Sequence, residues 1–472
     1  MRKSTFTTLI LLTLLTGCSN GAPRFKNVSV HDPSVIKVKD TYYVFGSHLA
    51  SAKSKDLISW KQISSRVEDG NVLIPNVTEE LSQTLNWAQS DTLWAPDVIQ
   101  LADGKFYMYY NACKGDSPLS AMGIAVADKI EGPYKDLGII LKSGMRGAGS
   151  DGEVYDATMK PNVVDPDVFF DEEGKLWMVY GSYSGGIFIM GLDPSTGFPL
   201  PDQGYGKKLL GANHARIEGP YMLYSPETDY YYLFLSYGGL DANGGYNIRV
   251  ARSQNPDGPF EDSEGLAMID AKGTADKLFD DPAYSPYGVK LMGSFEFLNS
   301  DDEPAAIGEG YVSPGHNSAY YDEKTGQYYL IFHARFPGRG EEHEVRVHQM
   351  FMNKDGWPVV APHRYSGEKI GKYSAEELTG TYKYVNHGKD ITPAVVKSQQ
   401  IELNPDGTVT GAVQGTWELS GEHAAELTLD GTVYSGVFLR EWNEAVKSNV
   451  MTFTALSGTG IAIWGSHVLT EE

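Results

Sequence analysis

Four side chains that can carry acid, base or metal-binding chemistry stand at corresponding places in a recurring pattern. Asp32, Asp165 and Glu218 lie at or near the start of an apolar run, and His316 lies at the equivalent place in a later copy. Carboxylates that face each other across a pocket can divide the roles of general acid and general base, because their surroundings can protonate one and ionise another. An imidazole there is either a hydrogen-bonded core residue or a metal ligand.

The pattern that carries these residues is a β-hairpin repeated along the chain. In one copy the apolar strand at residues 163–170 leads through an acidic turn into the aromatic strand at residues 176–182. The other copies begin at His31, Trp94, Glu218 and Gly315. Repeats of this size indicate a radial architecture, in which four-stranded blades stack around an axis as a β-propeller. The first strand of each blade lines the axis, so the sequence predicts that the three carboxylates and the imidazole converge on a central pocket.

The composition favours an all-β chain in two parts. Aromatic residues make up 12% of the 472 residues, 52 residues are glycine, and no long helical period appears, which is typical of strands and turns. Beyond residue 365 the pattern changes to short alternating strands separated by turns such as residues 405–407. The sequence therefore predicts a five-bladed β-propeller over residues 28–365 and a small β-barrel or sandwich over residues 366–472.

The net charge of −22 bears on the partners of the chain. It argues against nucleic acid and acidic polysaccharides and fits a neutral substrate. The simpler interpretation is that the surface is acidic and that its charge gives no information about the partners. We expect a monomer.

Residues 1–18 resemble a bacterial lipoprotein signal peptide. A basic head precedes an apolar run at residues 9–15, which is too short to span a bilayer. The run ends in Leu-Thr-Gly-Cys like a lipobox, in which Cys18 becomes the lipidated first residue; ordinary cleavage beside an incidental cysteine is the alternative. Residues 19–27 then form a polar tether. We expect an extracellular bacterial protein held to the membrane by its lipid alone, and the single further cysteine, Cys113, gives no disulfide framework.

The residue types of the pocket suit glycoside hydrolysis. One carboxylic acid protonates the leaving oxygen and another carboxylate activates water. Glu218, held by the rigid turn that follows it, is the candidate acid; Asp165 is a neighbour that would raise its pKa, and Asp32 would stay ionised as the base. The sequence contains no Asp-x-Asp-x-Asn-Gly calcium loop, so any metal near His316 would need mostly water ligands.

Taken together, the blade starts resemble glycoside hydrolase family 43. The motifs are His31-Asp32-Pro33, Trp94-Ala95-Pro96-Asp97-Val98, Val164-Asp165-Pro166, Glu218-Gly219-Pro220-Tyr221 and Gly315-His316-Asn317-Ser318. Within the family the chain is most similar to the bacterial extracellular endo-α-1,5-L-arabinanases, and its trailing domain resembles the β-barrel of their longer members. The resemblance implies a five-bladed propeller, an inverting mechanism, and cleavage of internal α-1,5-arabinosyl bonds in plant cell-wall arabinan.

The resemblance also implies a role for each site residue. Asp32 matches the general base, Glu218 the general acid, and Asp165 the residue that orients the acid and modulates its pKa. His316 matches the histidine that holds one hydrated calcium ion (Ca²⁺) at the propeller axis.

Further positions are candidates for substrate contact. Trp94 is placed either to stack on a sugar ring or to fill the core. Gly115 lies on a loop that can offer backbone groups, and Asn162 stands just ahead of the central acid. The run Ser182, Tyr183 and Ser184 resembles positions that hydrogen-bond the arabinosyl unit.

Two other functions stay open at this point. The same acids serve other activities of the family, such as exo-arabinofuranosidase and β-xylosidase. A non-catalytic, glycan-binding propeller at the cell surface is the alternative from a different class. The intact set of three acids argues against it, because binding alone needs neither an acid nor a base.

Overall fold

The computed structural model describes residues 22–145, 147–279, 281–300, 303 and 309–469. Cys18 and the predicted signal peptide lie outside these residues, so that part of the sequence interpretation stays a prediction. Within the described ranges, no helix has the length and apolarity that a membrane crossing requires.

Five antiparallel sheets form the blades of a propeller. Blade one comprises β1 (Ser34–Val38), β2 (Thr41–Gly46), β3 (Ala50–Ser54) and β4 (Trp60–Ser64). Blade two comprises β5 (Asp97–Gln100), β6 (Phe106–Cys113), β7 (Ser120–Ala127) and β8 (Lys135–Lys142). Blade three comprises β9 (Asp167–Phe170), β10 (Leu176–Tyr180), β11 (Ile187–Leu192) and β12 (Lys207–Leu210). Blade four comprises β13 (Ile217–Ser225), β14 (Tyr230–Tyr237), β15 (Asn247–Ser253) and β16 (Val289–Met292). Blade five comprises β17 (Phe295–Phe297), β18 (Glu309–Asp322), β19 (Gln327–Arg335), β20 (His343–Met352) and β21 (Pro358–Val360).

The middle strands explain why the blades stack. All eight residues of β6 are buried, and seven of the eight in β14 are. A strand covered on both faces needs an unbroken apolar and aromatic run, whereas a strand with one wet face alternates. The aromatic-rich second strand of each hairpin is therefore the sequence signature of a blade packed between two others.

Buried polar groups link the innermost strands of neighbouring blades. Asp97 Oδ2 accepts a hydrogen bond of 2.9 Å from the Val168 amide, and Asp167 Oδ2 accepts one of 2.7 Å from the Met222 amide. These bonds join blade two to blade three and blade three to blade four. Between blades five and one, Ser318 Oγ donates to the Pro33 carbonyl, just before β1, at 2.6 Å. These hydrogen bonds fix the positions of neighbouring inner strands along the propeller axis. The starts of those strands carry the acidic residues.

A closed barrel of eight strands follows the propeller. It comprises β22 (Gly380–Asn386), β24 (Gln399–Leu403), β25 (Thr408–Gly411), β26 (Gly415–Ser420), β27 (Ala424–Leu429), β28 (Thr432–Asn443), β29 (Ser448–Ser457) and β30 (Ala462–His467). The helices α1 (Val77–Glu80), α2 (Ser82–Ala88) and α3 (Ala375–Leu378) are short. The predicted fold class, a five-bladed propeller followed by a small β-barrel, is confirmed.

The barrel shares a core with blade five. Trp464 of β30 is fully buried and packs edge-to-face on Phe295 of β17, with ring centroids 5.0 Å apart. The short strand β23 (Val396–Lys397), which lies between barrel strands β22 and β24 in sequence, pairs in parallel with β17. Burial of a large aromatic side chain against both parts stabilises their mutual placement.

The last residues of the predicted tether pack on blade one. The Lys26 amide donates to the Ile58 carbonyl at 3.3 Å, and the Lys26 carbonyl accepts from the Trp60 amide at 3.1 Å. The ring of Phe25 lies against the guanidinium of Arg364. Residues 25 and 26 are therefore part of the folded body.

Candidate active site

The blade starts place the predicted residues through an unusual backbone conformation. Asp32, Asp165 and His316 all adopt left-handed backbones, with φ of 55°, 55° and 45°. Such conformations are unfavourable for residues other than glycine and concentrate at functional sites. In blade four the residue with this left-handed backbone, just before a proline, is Gly219 (φ 57°). Glu218 therefore lies one residue further from the proline than Asp32 and Asp165 do.

Asp32 is buried among imidazoles. His31 Nδ1 lies 2.8 Å from its Oδ2, and His316 Nδ1 lies 3.1 Å from its Oδ1. Ser47 Oγ donates a further hydrogen bond to Oδ2. Burial alone would raise the pKa of Asp32, but the charges and hydrogen bonds of His31 and His316 outweigh it and hold the pKa well below its ordinary value. Asp32 is thus ionised at neutral pH.

Glu218 is buried in a setting that favours its protonated form. Ser182 Oγ donates to its Oε2 at 2.7 Å, and the hydroxyl of Tyr246 donates to its Oε1 at 2.9 Å. Burial raises the pKa of Glu218, and its two hydrogen-bond donors and the charge of His316 only partly offset this. The main cause is therefore burial, whereas the sequence pointed to repulsion by Asp165.

Asp165 lies next to the acid through the backbone. Its Oδ2 accepts a hydrogen bond of 3.3 Å from the amide of Gly219, the residue after Glu218. Burial raises the pKa of Asp165 to about 8, and the charges of Glu218 and Asp32 add to this while His316 opposes it. Two neighbouring carboxyl groups with raised pKa values hold at least one proton near neutral pH.

His316 contacts both sides of the pocket. Its Nδ1 faces Asp32, and its ring packs on Gly219 so closely that a Cβ there would lie 3.0 Å from the ring. Burial would lower the pKa of His316, but the charges of Asp32 and Asp165 raise it to about 9. The imidazole thus lies between Asp32 and the turn that follows Glu218.

Two imidazoles beside Asp32 were not singled out from the sequence. His31 and His333 stack with ring centroids 3.9 Å apart, and His333 Nδ1 accepts a hydrogen bond of 3.2 Å from the Asp32 amide. Donor atoms of His31, Asp32 and His333 lie within 4.8 Å of one another, a nitrogen-rich set that suits zinc better than calcium. Since each imidazole already bonds Asp32, we assign them to holding Asp32, the predicted base. The position of His31 directly before Asp32 was the available signal.

The predicted substrate contacts fall into two groups. Ser182, Tyr183 and Ser184 follow β10: Ser182 bonds Glu218, the hydroxyl of Tyr183 donates to the Gly238 carbonyl at 3.1 Å, and Ser184 is buried. Of the other three predicted positions, Trp94 lies just before blade two, Gly115 lies between β6 and β7, and Asn162 lies just ahead of Asp165. Trp94 is half-buried, Gly115 is exposed with open space around it, and Asn162 is buried beside the sulfur of Cys113. The substrate roles of these six residues stay predictions.

The surroundings of His316 fit the hydrated calcium ion that the resemblance implies. Asn317 is 2% exposed, and neither its amide nitrogen nor its amide oxygen finds a partner in the described part of the chain. His316 faces the carboxylate of Asp32, and the next residue in the chain carries this unpaired buried amide. Such groups suit the water shell of a hydrated cation. A site with one imidazole and otherwise oxygen donors does not need a calcium loop, and the sequence contains none.

Comparison with known proteins agrees with this geometry. The family described as glycosyl hydrolases family 43 matches residues 25–284, and a C-terminal lipocalin-like domain matches residues 362–465. The extracellular endo-α-(1→5)-L-arabinanase 2 of Bacillus subtilis is 65% identical over 444 residues, which are 94% of each chain. A crystal structure of a family 43 glycoside hydrolase from Bacillus licheniformis has 66% identity and a TM-score of 0.92, covering 94% of this chain and 99% of that one. The endo-1,5-α-L-arabinanase of Thermotoga petrophila has 54% identity and a TM-score of 0.90, covering 95% and 100%.

The five-bladed propeller with buried carboxylates at its blade starts, the β-barrel that follows it, and these relatives together identify a glycoside hydrolase. The chain belongs to glycosyl hydrolase family 43.

Proposed function

We propose that this protein is an extracellular endo-α-1,5-L-arabinanase, which hydrolyses internal bonds of arabinan with inversion at the anomeric carbon. The observation that carries the proposal is the contrast between two buried carboxyl groups of one pocket. The pKa of Asp32 is held low, and that of Glu218 is raised. Such a contrast is what acid–base cleavage of a glycosidic bond requires. The names of the similar arabinanases support the choice of substrate.

Glu218 is the proposed general acid. Burial raises the pKa of its carboxyl group and so favours the protonated form, and the proton passes to the glycosidic oxygen as the bond to the leaving sugar breaks. Once ionised, the carboxylate is stabilised by the hydrogen bonds from Ser182 and Tyr246. The two donors therefore act mainly after the proton has left.

Asp32 is the proposed general base. Its low pKa means that it is ionised when substrate arrives, and it removes a proton from the water that attacks the anomeric carbon from the opposite face. His31 and Ser47 fix the direction of its carboxylate through their contacts with Oδ2. Inversion follows because the water attacks directly, without a covalent sugar–enzyme intermediate.

Asp165 is the proposed positioning residue for the acid. Its bond to the Gly219 amide holds the turn beside Glu218, and its own raised pKa limits the negative charge in the pocket. Calcium bound near His316 would supply positive charge that favours the ionised form of nearby carboxylates. We include that ion, mostly water-coordinated, in the proposal.

Location and anchoring complete the proposal. The similar arabinanase of Bacillus subtilis is named an extracellular enzyme. The lipobox-like end of the signal peptide supports attachment of the mature chain by a lipid on Cys18, with plant cell-wall arabinan as the polymer it meets. We further propose that the enzyme acts as a monomer.

One experiment tests the proposed activity. Linear debranched arabinan is incubated with the full chain, product sizes are followed over time, and the anomeric form of the first products is read by proton NMR. An endo-acting, inverting enzyme gives a broad set of oligosaccharides early, with the inverted anomer. Arabinose or a single short product from the first minutes would indicate exo action, and a retained anomer would overturn the roles of Asp32 and Glu218.

A further inference from the structure

A long loop of blade four, between β15 and β16, reaches the end of the propeller where Glu218 lies. The Gly211 amide donates to the Ala271 carbonyl of this loop at 3.0 Å. The Gly273 amide of the loop donates to the Ala212 carbonyl at 3.1 Å. Both bonds tie the loop to the segment that leads into β13, and Glu218 is the second residue of that strand.

Phe279 is an exposed aromatic residue of this loop. It is 39% exposed, and its backbone is left-handed, with φ of 61°. Such a conformation is strained for a bulky side chain, and strain of this kind concentrates at functional sites. The Tyr284 hydroxyl donates to the Phe279 carbonyl at 3.5 Å and accepts from the Arg216 amide at 3.1 Å. Phe279 is therefore tied to the backbone two residues before Glu218.

Three half-buried side chains hold the ring of Phe279. The ring centroid of Tyr183 lies 6.1 Å from that of Phe279, and the centroid of His214 lies 5.8 Å from it. The guanidinium carbon of Arg216 lies 5.4 Å from the same centroid. Burial lowers the pKa of His214, so this neighbour is uncharged at neutral pH. Aromatic and cation–π contacts fix the orientation of a ring, so the exposed part of Phe279 is a preformed apolar surface.

This surface lies on the side of the proposed acid. Ser182, which bonds Glu218 at 2.7 Å, directly precedes Tyr183 in the chain. The ring neighbours of Phe279 lie in or between blades three and four, whereas the imidazoles that bond Asp32 belong to blades one and five. In the proposed mechanism the acid protonates the leaving oxygen while the base acts from the opposite face. A residue on the acid's side therefore faces the part of the substrate that leaves.

We propose that Phe279 is a specificity-determining residue whose exposed ring packs against a sugar on the leaving side of the scissile bond. A sugar ring presents C–H groups as well as hydroxyls, and burying C–H groups against an aromatic ring is favourable. The contact forms only when the substrate continues beyond the scissile bond, so it favours cleavage of internal bonds. The identity of the sugar as arabinose rests on the proposed function.

Two substrates that differ on the leaving side test the proposal. Arabinohexaose places sugars on both sides of the scissile bond, whereas an aryl α-1,5-arabinotrioside that releases its aryl group has no sugar on the leaving side. Phe279→Ala should lower kcat/KM for arabinohexaose by roughly tenfold, because a partly buried aromatic contact is lost. It should leave kcat/KM for release of the aryl group within about twofold.

Two further variants serve as controls. Phe279→Tyr keeps the ring and should retain kcat/KM on both substrates. Phe198→Ala removes a phenylalanine of similar exposure, 36%, from the turn between β11 and β12, and should change neither value. Equal losses on the two substrates for Phe279→Ala, or an unchanged kcat/KM for arabinohexaose, would overturn the proposal.

Binding to an inactive enzyme separates this proposal from the proposed function. In the full chain carrying Glu218→Gln, calorimetry should show that adding Phe279→Ala weakens arabinohexaose binding by roughly tenfold. Unchanged affinity would overturn the role of Phe279 even if the unmodified enzyme cleaves arabinan. Phe279-dependent binding of xylohexaose, with no hydrolysis of arabinan by the unmodified enzyme, would support the aromatic contact and refute the proposed function instead.

Discussion

The hydroxyl of Tyr246 donates a hydrogen bond of 2.9 Å to Oε1 of Glu218, the proposed acid. The ring of Tyr246 reaches this position over Gly315, where a Cβ would lie 2.0 Å from the ring. The bond favours the ionised form of Glu218, whereas burial favours the protonated form, and burial prevails. The pKa of Glu218 therefore depends on burial, which raises it, and on hydrogen bonds such as that from Tyr246, which lower it.

Removing that hydroxyl should shift the pH dependence of the enzyme. In Tyr246→Phe the ionised form of Glu218 loses a donor, so its pKa rises further and the acid stays protonated to higher pH. A hydrogen bond to a charged group is worth about 1.5–3 kcal/mol, so we expect the alkaline limb of kcat to move upward by about one pH unit or more. Tyr237→Phe is the control, since the Tyr237 hydroxyl is buried without a partner among the described residues. Coincident pH profiles for Tyr246→Phe and the unmodified enzyme would contradict the role.

The roles of acid and base should separate with the leaving group. Glu218→Ala should lose nearly all activity on arabinan, by roughly 10²–10⁴-fold, but retain far more on an aryl arabinofuranoside whose leaving group needs little protonation. Asp32→Ala should be nearly inactive on both substrates, because activation of water is still required. Initial rates on the two substrates check this. Equal losses for Glu218→Ala on both would show that Glu218 is not the acid.

Calcium removal should lower both activity and stability. Since the surroundings of His316 fit a hydrated cation, exhaustive chelation should reduce kcat and the melting temperature, and added Ca²⁺ should restore both. His316→Ala should show the same losses with calcium present. Metal analysis, thermal melts and rates measured well below the melting temperature distinguish loss of function from unfolding. Unchanged rates and melting temperature after chelation would make His316 a core histidine.

The turn after the acid should tolerate no side chain. Gly219→Ala places a methyl group at φ 57° and 3.0 Å from the His316 ring, so it combines backbone strain of about 1 kcal/mol with displacement of the imidazole. We expect a lower melting temperature and a loss of kcat/KM of at least tenfold. Gly174→Ala (φ 77°, open space around the site) isolates the strain alone and should keep full activity. Equal activity of the two variants would show that the close approach to His316 does not matter.

Attachment of the enzyme to the membrane should depend on Cys18. The unmodified protein should fractionate with the membrane of its bacterium, and Cys18→Ala should either appear in the medium or accumulate as an uncleaved precursor. Immunoblots of membrane and medium fractions check this. An unmodified protein that is already soluble, with processing unaltered by Cys18→Ala, would favour ordinary signal cleavage.

Local pattern was enough to predict the fold class and the places of the main acids. Strand alternation, turns and the repeated hairpin are properties of neighbouring residues, so they can be read without a structure. The same repeat put Asp32, Asp165 and His316 at blade starts, because a propeller brings the first strand of every blade to the axis. The resemblance to family 43 then supplied roles that spacing alone did not contain.

Only the tertiary structure decided which groups hold Glu218 and Asp32, the proposed acid and base. The donors to Glu218, Ser182 and Tyr246, stand 36 and 28 residues from it, and His333 stands 301 residues from Asp32. Contacts of this kind depend on how five sheets close around an axis, and no local signal specifies them. The pKa values follow from the same cause, since burial is the largest influence on each and exists only in the closed propeller. The residue types thus determined which chemistry was available, and the packing determined in which carboxyl groups the pKa is raised and in which it is lowered.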